Sequence, residues 1–341
     1  MTNPLTLALH RLAARETLTA DEAGEALALL MTGEETPARA AAFLLGLRAR
    51  GETADEVAGA ARAVRRAMVP VPHPHPDRLV DTCGTGGGRV TTTNLSTAAA
   101  FVVAAAGIPV AKHGNRSHTS RSGSADLLEA LGLPLTQAPE RAAAQLEAAG
   151  LAFLFAPAHH PAMRHLAPVR RELGVPTVMN LLGPLANPAG VRRQVVGVAD
   201  PGRGPVVAGA LLRLGTIHAL VAHAEVGMDE FSPEGHTLVW EVRDGRVTAG
   251  RFDPTPHGLA EGLEGLEGGV PAENARRIEA LFGGRGAPGL RAAVLLNAAA
   301  AVYVSEEGAG WEVALGRAAT ALDSGAAGAK LEELRRLSTS G

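Results

Sequence analysis

Through the first 68 residues, apolar positions recur every three or four residues, the spacing of one buried helical face. Polar residues divide this stretch into short helices. Thr19 with Glu22, and Thr53 with Glu56, have the spacing of capping boxes. Thr36 before Pro37 reads as an N-cap with proline at the first helical position, and Gly51 suits a stop after Arg50. Four helices with short connections make a small helical unit. In residues 69–77 proline alternates with valine and histidine, which predicts a semi-rigid connector and no helix.

Beyond the connector the pattern changes. Short apolar runs at 79–83, 108–111, 151–155, 195–198 and 217–221 alternate with alanine- and leucine-rich helical stretches. Such alternation predicts a mostly parallel central sheet with helices on both faces. Residues 237–242 and 246–248 flank Asp244-Gly245 and predict a hairpin at the sheet margin. After Pro271 helices return, among them the nearly all-apolar 290–304. The expected fold class is α/β: a small N-terminal helical domain plus a larger α/β domain with a mostly parallel central sheet.

Charge and composition narrow the partners. The 341 residues are 46% hydrophobic and 20% charged, with 32 basic and 35 acidic side chains and a formal net charge of −3. That balance argues against nucleic acid or a membrane surface as partner. Cys83 is the only cysteine, so no intramolecular disulfide can form and a reducing compartment is permitted. Residues 1–12 lack the pattern of a signal peptide, and the apolar stretch 98–106 is too short to span a bilayer, so a cytoplasmic location is expected. Only Lys112 and Lys330 are lysine in an arginine-rich chain, which suggests a need for a compact ammonium at Lys112.

Four segments carry candidate chemistry. In the first, a predicted strand ending at Cys83 runs into Gly84-Thr85-Gly86-Gly87-Gly88, then Asn94-Leu95-Ser96-Thr97 opens a helix, with Asn94 or Ser96 as its cap. Glycines let backbone N–H groups approach an anion, and the helix start adds favourable potential. The segment is neither a Walker A loop nor a dinucleotide fingerprint. Cys83 reads as a small residue packed beneath the loop. The second segment, from Lys112 and His113 through Asn115, Arg116, Ser117 and Ser120 to Ser124, concentrates cations and hydroxyls in one loop ahead of a helix at 125–131. Phosphate binding wants both kinds of group. It follows a second strand of the same sheet and so falls beside the glycine loop, at the carboxyl edge where such sheets bind ligands.

The third segment is Gly227-Met228-Asp229-Glu230, close after the strand that ends near Val221. Adjacent carboxylates repel unless a cation lies near them, and Mg2+ shared with a ligand's phosphates is the usual answer. The fourth runs from His159-His160-Pro161 through Arg164, His165, Arg170 and Arg171 to Asn180, Gly183-Pro184 and Asn187-Pro188. Its three histidines match no standard zinc spacing. An arginine here could meet a carboxylate bidentately.

In order and spacing these segments resemble the anthranilate phosphoribosyltransferase family, over essentially the whole chain. The resemblance implies a small helical domain at residues 1–70, completed by helices near 160–185. It also implies a large α/β domain at 76–159 and 190–341, and a homodimer formed through the helical domain. Phosphoribosyl diphosphate and anthranilate would be the substrates, meeting in the inter-domain cleft with Mg2+ as cofactor. Donor contacts would come from Gly84, Gly87, Gly88, Thr92, Asn94, Leu95, Ser96, Thr97, Lys112, Asn115, Arg116, Ser117, Ser120 and Ser124. Ser96, Asp229 and Glu230 would meet the metal, and Lys112, Asp229 and Glu230 would carry catalysis. Gly84, His113, Asn115, Arg170 and Gly183 would face anthranilate, with Arg170 on its carboxylate. One departure stands out: Gly88-Arg89 replaces the family's usual Gly-Asp. Three alternatives remain at this point, one of them a transferase with a different aromatic acceptor. A pyrimidine nucleoside phosphorylase shares the architecture but needs no acidic metal pair, and a non-catalytic relative that binds nucleic acid would need a contiguous basic surface.

Overall fold

The computed structural model describes residues 3–117, 121–135, 138–305 and 310–339. Its N-terminal part holds α1 (Pro4–Ala13), α2 (Ala20–Thr32), α3 (Pro37–Arg50) and α4 (Ala54–Ala67). Both predicted capping boxes close: Thr19 and Thr53 accept the amides of Glu22 and Glu56, whose carboxylates accept the amides of the two threonines. Each such cap contributes about 1 kcal/mol. Helices α2 and α4 meet backbone to backbone, because a Cβ on Gly59 would lie 1.8 Å from the Ala20 carbonyl oxygen.

The rest of the chain alternates as expected. β1 (Val80–Gly84) leads to α5 (Leu95–Ala105), then β2 (Val110–Gly114), α6 (Ser124–Ala130), α7 (Pro139–Ala149) and β3 (Leu151–Phe155). Three short helices follow, α8 (Ala156–His159), α9 (Ala167–Leu173) and α10 (Met179–Leu185), before β4 (Arg193–Gly197), α11 (Gly204–Arg213) and β5 (His218–Ala224). The hairpin β6 (Thr237–Arg243) and β7 (Arg246–Phe252) turns at Asp244 and Gly245, both with positive φ (51° and 73°), as a tight hairpin turn requires. The chain ends in α12 (Pro271–Phe282), α13 (Pro288–Ser305), α14 (Trp311–Asp323) and α15 (Ala326–Thr339).

The seven strands lie in the order β3-β2-β1-β4-β5-β6-β7, the first five parallel and the last two antiparallel. From β1 the chain moves outward to β2 and β3, then returns to place β4 on the other side of β1. That reversal opens a crevice beyond the carboxyl ends of β1 and β4, the usual ligand site of such sheets.

Strand alternation divides the core. Val195 and Leu220 join the face packed under α5 and α13, whereas Val196, Ala219 and Val221 join the opposite face. The second core runs without a break into the helical part, where Phe43, Leu44 and Leu47 share it with Val178, Leu181 and Leu182. α9 packs on α3 and α10 on α4, so the segment after β3 builds onto the helical domain. Among the described residues α13 alone is long and apolar enough to cross a bilayer, but it is mostly buried within the fold, as a core helix is.

One boundary moved, and it matters for the site. The predicted second strand, 108–111, contains Pro109, which has no N–H to give a ladder. β2 instead begins at Val110 and carries Lys112 and His113 inside the strand, not in the loop after it.

Candidate active site

The glycine loop is hooked to both neighbours of the crevice. Thr85 N–H donates to the Gly197 carbonyl at the end of β4, and Arg89 N–H donates to Gly227 in the acidic turn, each at 2.9 Å. The loop's glycines serve close approach as well as anion access. A Cβ on Gly84 would lie 3.1 Å from Asp229 Oδ2, and one on Gly88 would lie 2.9 Å from Asp229 Oδ1. Gly197 is tighter still, its Cβ position 1.6 Å from the Asp229 carbonyl oxygen. The glycine loop therefore closes on the Asp229 carboxylate, and the end of β4 closes on its backbone.

Beside it Glu230 is saturated by the loop and the helix that follows. Its Oε1 accepts the Ser96 N–H at 3.0 Å and its Oε2 accepts the Thr92 hydroxyl at 2.7 Å. Glu230 thus caps α5, while Asn94, which occupies the N-cap position with φ 47°, makes no capping bond. Burial pushes the Glu230 carboxyl up to about 7, with the Asp229 charge as the next cause. Asp229 is also pushed up by burial, opposed by backbone amides including that of Gly86 and by His223. Lys112, buried, donates to the Thr82 carbonyl and to Ser96 Oγ (3.3 Å for the second). Burial pushes its pKa down, and Asp81 is the largest opposing charge. Thr82, Cys83, Ser96, Asp229, Glu230 and Asn297 line one narrow cleft. Two half-buried carboxylates beside a hydroxyl form a hard-oxygen set that suits Mg2+ better than a softer metal.

On β2 the alternation of side chains sends Lys112 toward α5 and His113 to the opposite face. The His113 ring bonds the Gly183 carbonyl through Nδ1 at 3.0 Å. Only a protonated nitrogen can donate to a carbonyl, so Nδ1 carries the hydrogen and Nε2 is left as an acceptor; buried, it has no partner among the described residues. Burial pushes His113 down to about 3, followed by the effect of His160, whose ring centroid is 5.1 Å away and which burial pushes to about 4. Both rings are neutral at any ordinary pH. Beneath them Asp81 accepts the His113 N–H at 3.1 Å and the Asn187 amide at 2.8 Å, while Asn187 also donates to the Ala111 carbonyl at 2.8 Å. Asp81 and Asn187 thereby tie β1, β2 and the segment after α10 together. Arg170 on α9 is partly buried, which lowers its pKa, and its guanidinium makes no hydrogen bond or ion pair among the described residues.

Several side chains expected to meet the donor have partners within the protein. Arg116 is exposed and turned to Asp126 and Glu129, and the pair raises its pKa. The Ser117 N–H donates to Asp126 at 3.3 Å, Ser124 Oγ donates to the Asn115 carbonyl at 3.2 Å, and the exposed Asn115 side chain accepts the Arg116 N–H. Asn94 bridges loops, donating to the Ser122 carbonyl and accepting from Ser122 Oγ and Asn274 Nδ2. Leu95 is a core side chain. Thr97 lines a mainly apolar cavity with Phe101, Leu128, Phe153 and Lys112, and its buried hydroxyl has no partner among the described residues. Ser120 lies outside the described residues. Of the three clustered histidines, His159 bonds the Val69 carbonyl and His165 packs against Gly33, so they do not converge on one point. No local pattern in the chain announced Gly197, Asn274 or His223. Asn297 had one legible signal, an amide alone in an apolar helix.

Comparison with known proteins agrees with this geometry. Residues 7–68 match the glycosyl transferase family helical bundle domain, and residues 76–328 match the glycosyl transferase family a/b domain. Anthranilate phosphoribosyltransferase of Novosphingobium aromaticivorans is 48% identical over 311 residues, covering 91% of this chain and 93% of the relative. The crystal structure of anthranilate phosphoribosyltransferase (TrpD) from Thermus thermophilus superposes with a TM-score of 0.91 at 45% identity, covering 97% of this chain and 98% of that one. The Saccharomyces cerevisiae enzyme in complex with PRPP (phosphoribosyl diphosphate) and Mg superposes with a TM-score of 0.90 at 28% identity, covering 100% and 99%.

Proposed function

We propose residue roles from one premise: the chain belongs to the anthranilate phosphoribosyltransferase family, and it is therefore a pentosyltransferase of tryptophan biosynthesis. Its reaction joins the amine of anthranilate to the phosphoribosyl group of phosphoribosyl diphosphate and releases diphosphate. The observation that carries the site assignment is the convergence of the glycine loop, the start of α5 and the acidic turn on Asp229 and Glu230.

On the donor side Asp229, Glu230 and Ser96 Oγ would hold Mg2+. When bound, the ion offsets charge on the leaving diphosphate. At Gly87 and Gly88 the loop backbone approaches the same diphosphate without side-chain obstruction, while the Thr85 and Gly86 amides hold the Gly197 carbonyl and Asp229. Lys112 acts from below: its ammonium fixes Ser96 Oγ and contributes positive potential to the acidic pair. On the acceptor side Arg170 pairs with the anthranilate carboxylate, and His113 Nε2 accepts a hydrogen bond from the amine. A histidine pushed to about 3 is too weak a base to remove a proton from that amine, so His113 orients the nucleophile. The amine is neutral near pH 7 and attacks the anomeric carbon as the bond to diphosphate breaks; its proton leaves afterwards. Catalysis is then chiefly positioning and charge neutralisation.

We extend the reading to a homodimer through the helical domain, consistent with Leu7 and Leu45 exposed on α1 and α3, and to cytoplasmic residence. The deciding experiment is a Mg2+-dependent assay with phosphoribosyl diphosphate, comparing anthranilate with other aromatic amines and with uridine phosphorolysis. Selective turnover of anthranilate is expected. Phosphorolysis without diphosphate release would sink the assignment.

A further inference from the structure

From residue 292 to 302 every side chain of α13 is apolar except Asn297, which is 4% exposed. An amide in such a place is costly unless every polar atom is bonded. Here they are. Oδ1 accepts the Phe231 N–H at 3.0 Å, and Nδ2 donates to the carbonyls of Phe231 and Ala293, each at 2.9 Å. Two of these bonds engage both polar groups of one residue, as a neighbouring strand would. Phe231 belongs to no strand, so a side chain supplies the ladder that the sheet does not. Its ring is also held, 5.5 Å from Phe252 and 5.7 Å from Trp311 between centroids.

Phe231 directly follows Asp229-Glu230, and Asn297 lines the same cleft as both acids. We propose that Asn297 is a positioning residue for the donor–metal site, clamping the backbone just past the acidic pair so that its two carboxylates stay aimed at one point. A neutral amide suits the task. A carboxylate there would add a third negative charge beside a half-buried pair, and an ammonium would compete for the pair itself. This inference rests on the metal role proposed above for Asp229 and Glu230.

The test uses the full chain and measures Mg2+ binding calorimetrically in the presence of phosphoribosyl diphosphate, alongside steady-state kinetics and Tm. Asn297→Ala should weaken Mg2+ binding about tenfold or more, the range seen when groups that orient metal ligands are removed. It should lower kcat while the KM for anthranilate changes less than about twofold, since the acceptor face is untouched. Leu296→Ala, one position along the same helix and fully buried, should lower Tm and leave Mg2+ binding unchanged. If Asn297→Ala does not fold, the near-isosteric Asn297→Leu carries the same expectations. Wild-type Mg2+ binding in the Asn297 variant, or a profile matching Leu296→Ala, overturns the proposal. The double variant Asp229→Ala/Glu230→Ala separates the two readings: if it binds Mg2+ and donor normally, the metal role itself falls. If it loses binding while the Asn297 variants keep it, only the role of Asn297 falls.

Discussion

On one side of β2, Lys112 and Glu230 have their polar atoms bonded within the protein; one residue along, on the other side, His113 keeps a buried ring nitrogen unbonded. The donor side is closed by its own hydrogen bonds, and what it lacks is charge balance: two half-buried carboxylates against one ammonium whose pKa burial has lowered. The acceptor side has two neutral histidines and one unpaired guanidinium, and it is short of partners. His113 Nε2 is unsatisfied among the described residues, and the Arg170 guanidinium has no carboxylate. The comparison suggests two kinds of recognition, one completed by a cation and a polyanion, the other by a single aromatic acid.

The largest expected effect comes from removing the donor side's charge. Asp229→Ala/Glu230→Ala should lower kcat/KM by about a thousandfold or more, at or above the loss seen when one preorganised electrostatic contact is deleted. Near-normal Mg2+-dependent turnover would erase the distinction between the two sides. Next in size, Arg170→Ala should raise the KM for anthranilate about tenfold to a hundredfold, the equivalent of a charge-assisted hydrogen bond worth about 1.5–3 kcal/mol. The KM for phosphoribosyl diphosphate should stay within about twofold. The reverse pattern would move Arg170 to the donor.

A smaller effect concerns pH. Glu230 lies near 7 in the fold against an ordinary value of 4.5. Its folded pKa is raised, so between those values the folded protein holds a proton that the unfolded chain has released. The metal-free protein therefore loses stability as pH rises from about 4.5 to 7. Mg2+ needs the carboxylate and must displace that proton. The Tm increase produced by Mg2+ with donor should then be larger at pH 8 than at pH 6, as differential scanning fluorimetry would read. A pH-independent increase would remove Glu230 from the metal site.

Much of this contrast was legible in the chain. Capping boxes, glycine punctuation and the Asp244-Gly245 turn report local chemistry, and local chemistry fixed those elements. The loop at Gly84–Gly88 was legible for the same reason, whereas Asp229-Glu230, a pair common on solvated turns, drew its weight only from the motifs around it. What escaped depended on distance. Pro109 shifted β2 by two residues, which moved Lys112 and His113 from a common loop onto opposite faces of a strand. Gly197 matters only because Asp229, 32 positions later by numbering, folds onto it. Asn274 reaches Asn94 across 180 positions. No short window contains such pairs.

Thr97 offers the finest test of where the donor side ends. Resemblance assigns it to phosphate, yet the residue lines a cavity with Phe101, Leu128, Phe153 and Lys112, and its hydroxyl is buried without a partner among the described residues. A hydroxyl in that state costs about 1–3 kcal/mol relative to a satisfied one. Thr97→Val has nearly the same shape and removes only that group. If the cavity lies outside the donor site, the variant should keep its KM for phosphoribosyl diphosphate within about twofold and should melt slightly higher, by roughly 1–3 °C for a gain near 1 kcal/mol. If the hydroxyl turns to meet a phosphate once donor binds, the KM should instead rise about fivefold or more, the loss of one hydrogen bond to a charged group. The first result would set the edge of the donor side between Ser96 and Thr97; the second would extend it one residue into α5 and require that helix start to rotate on binding.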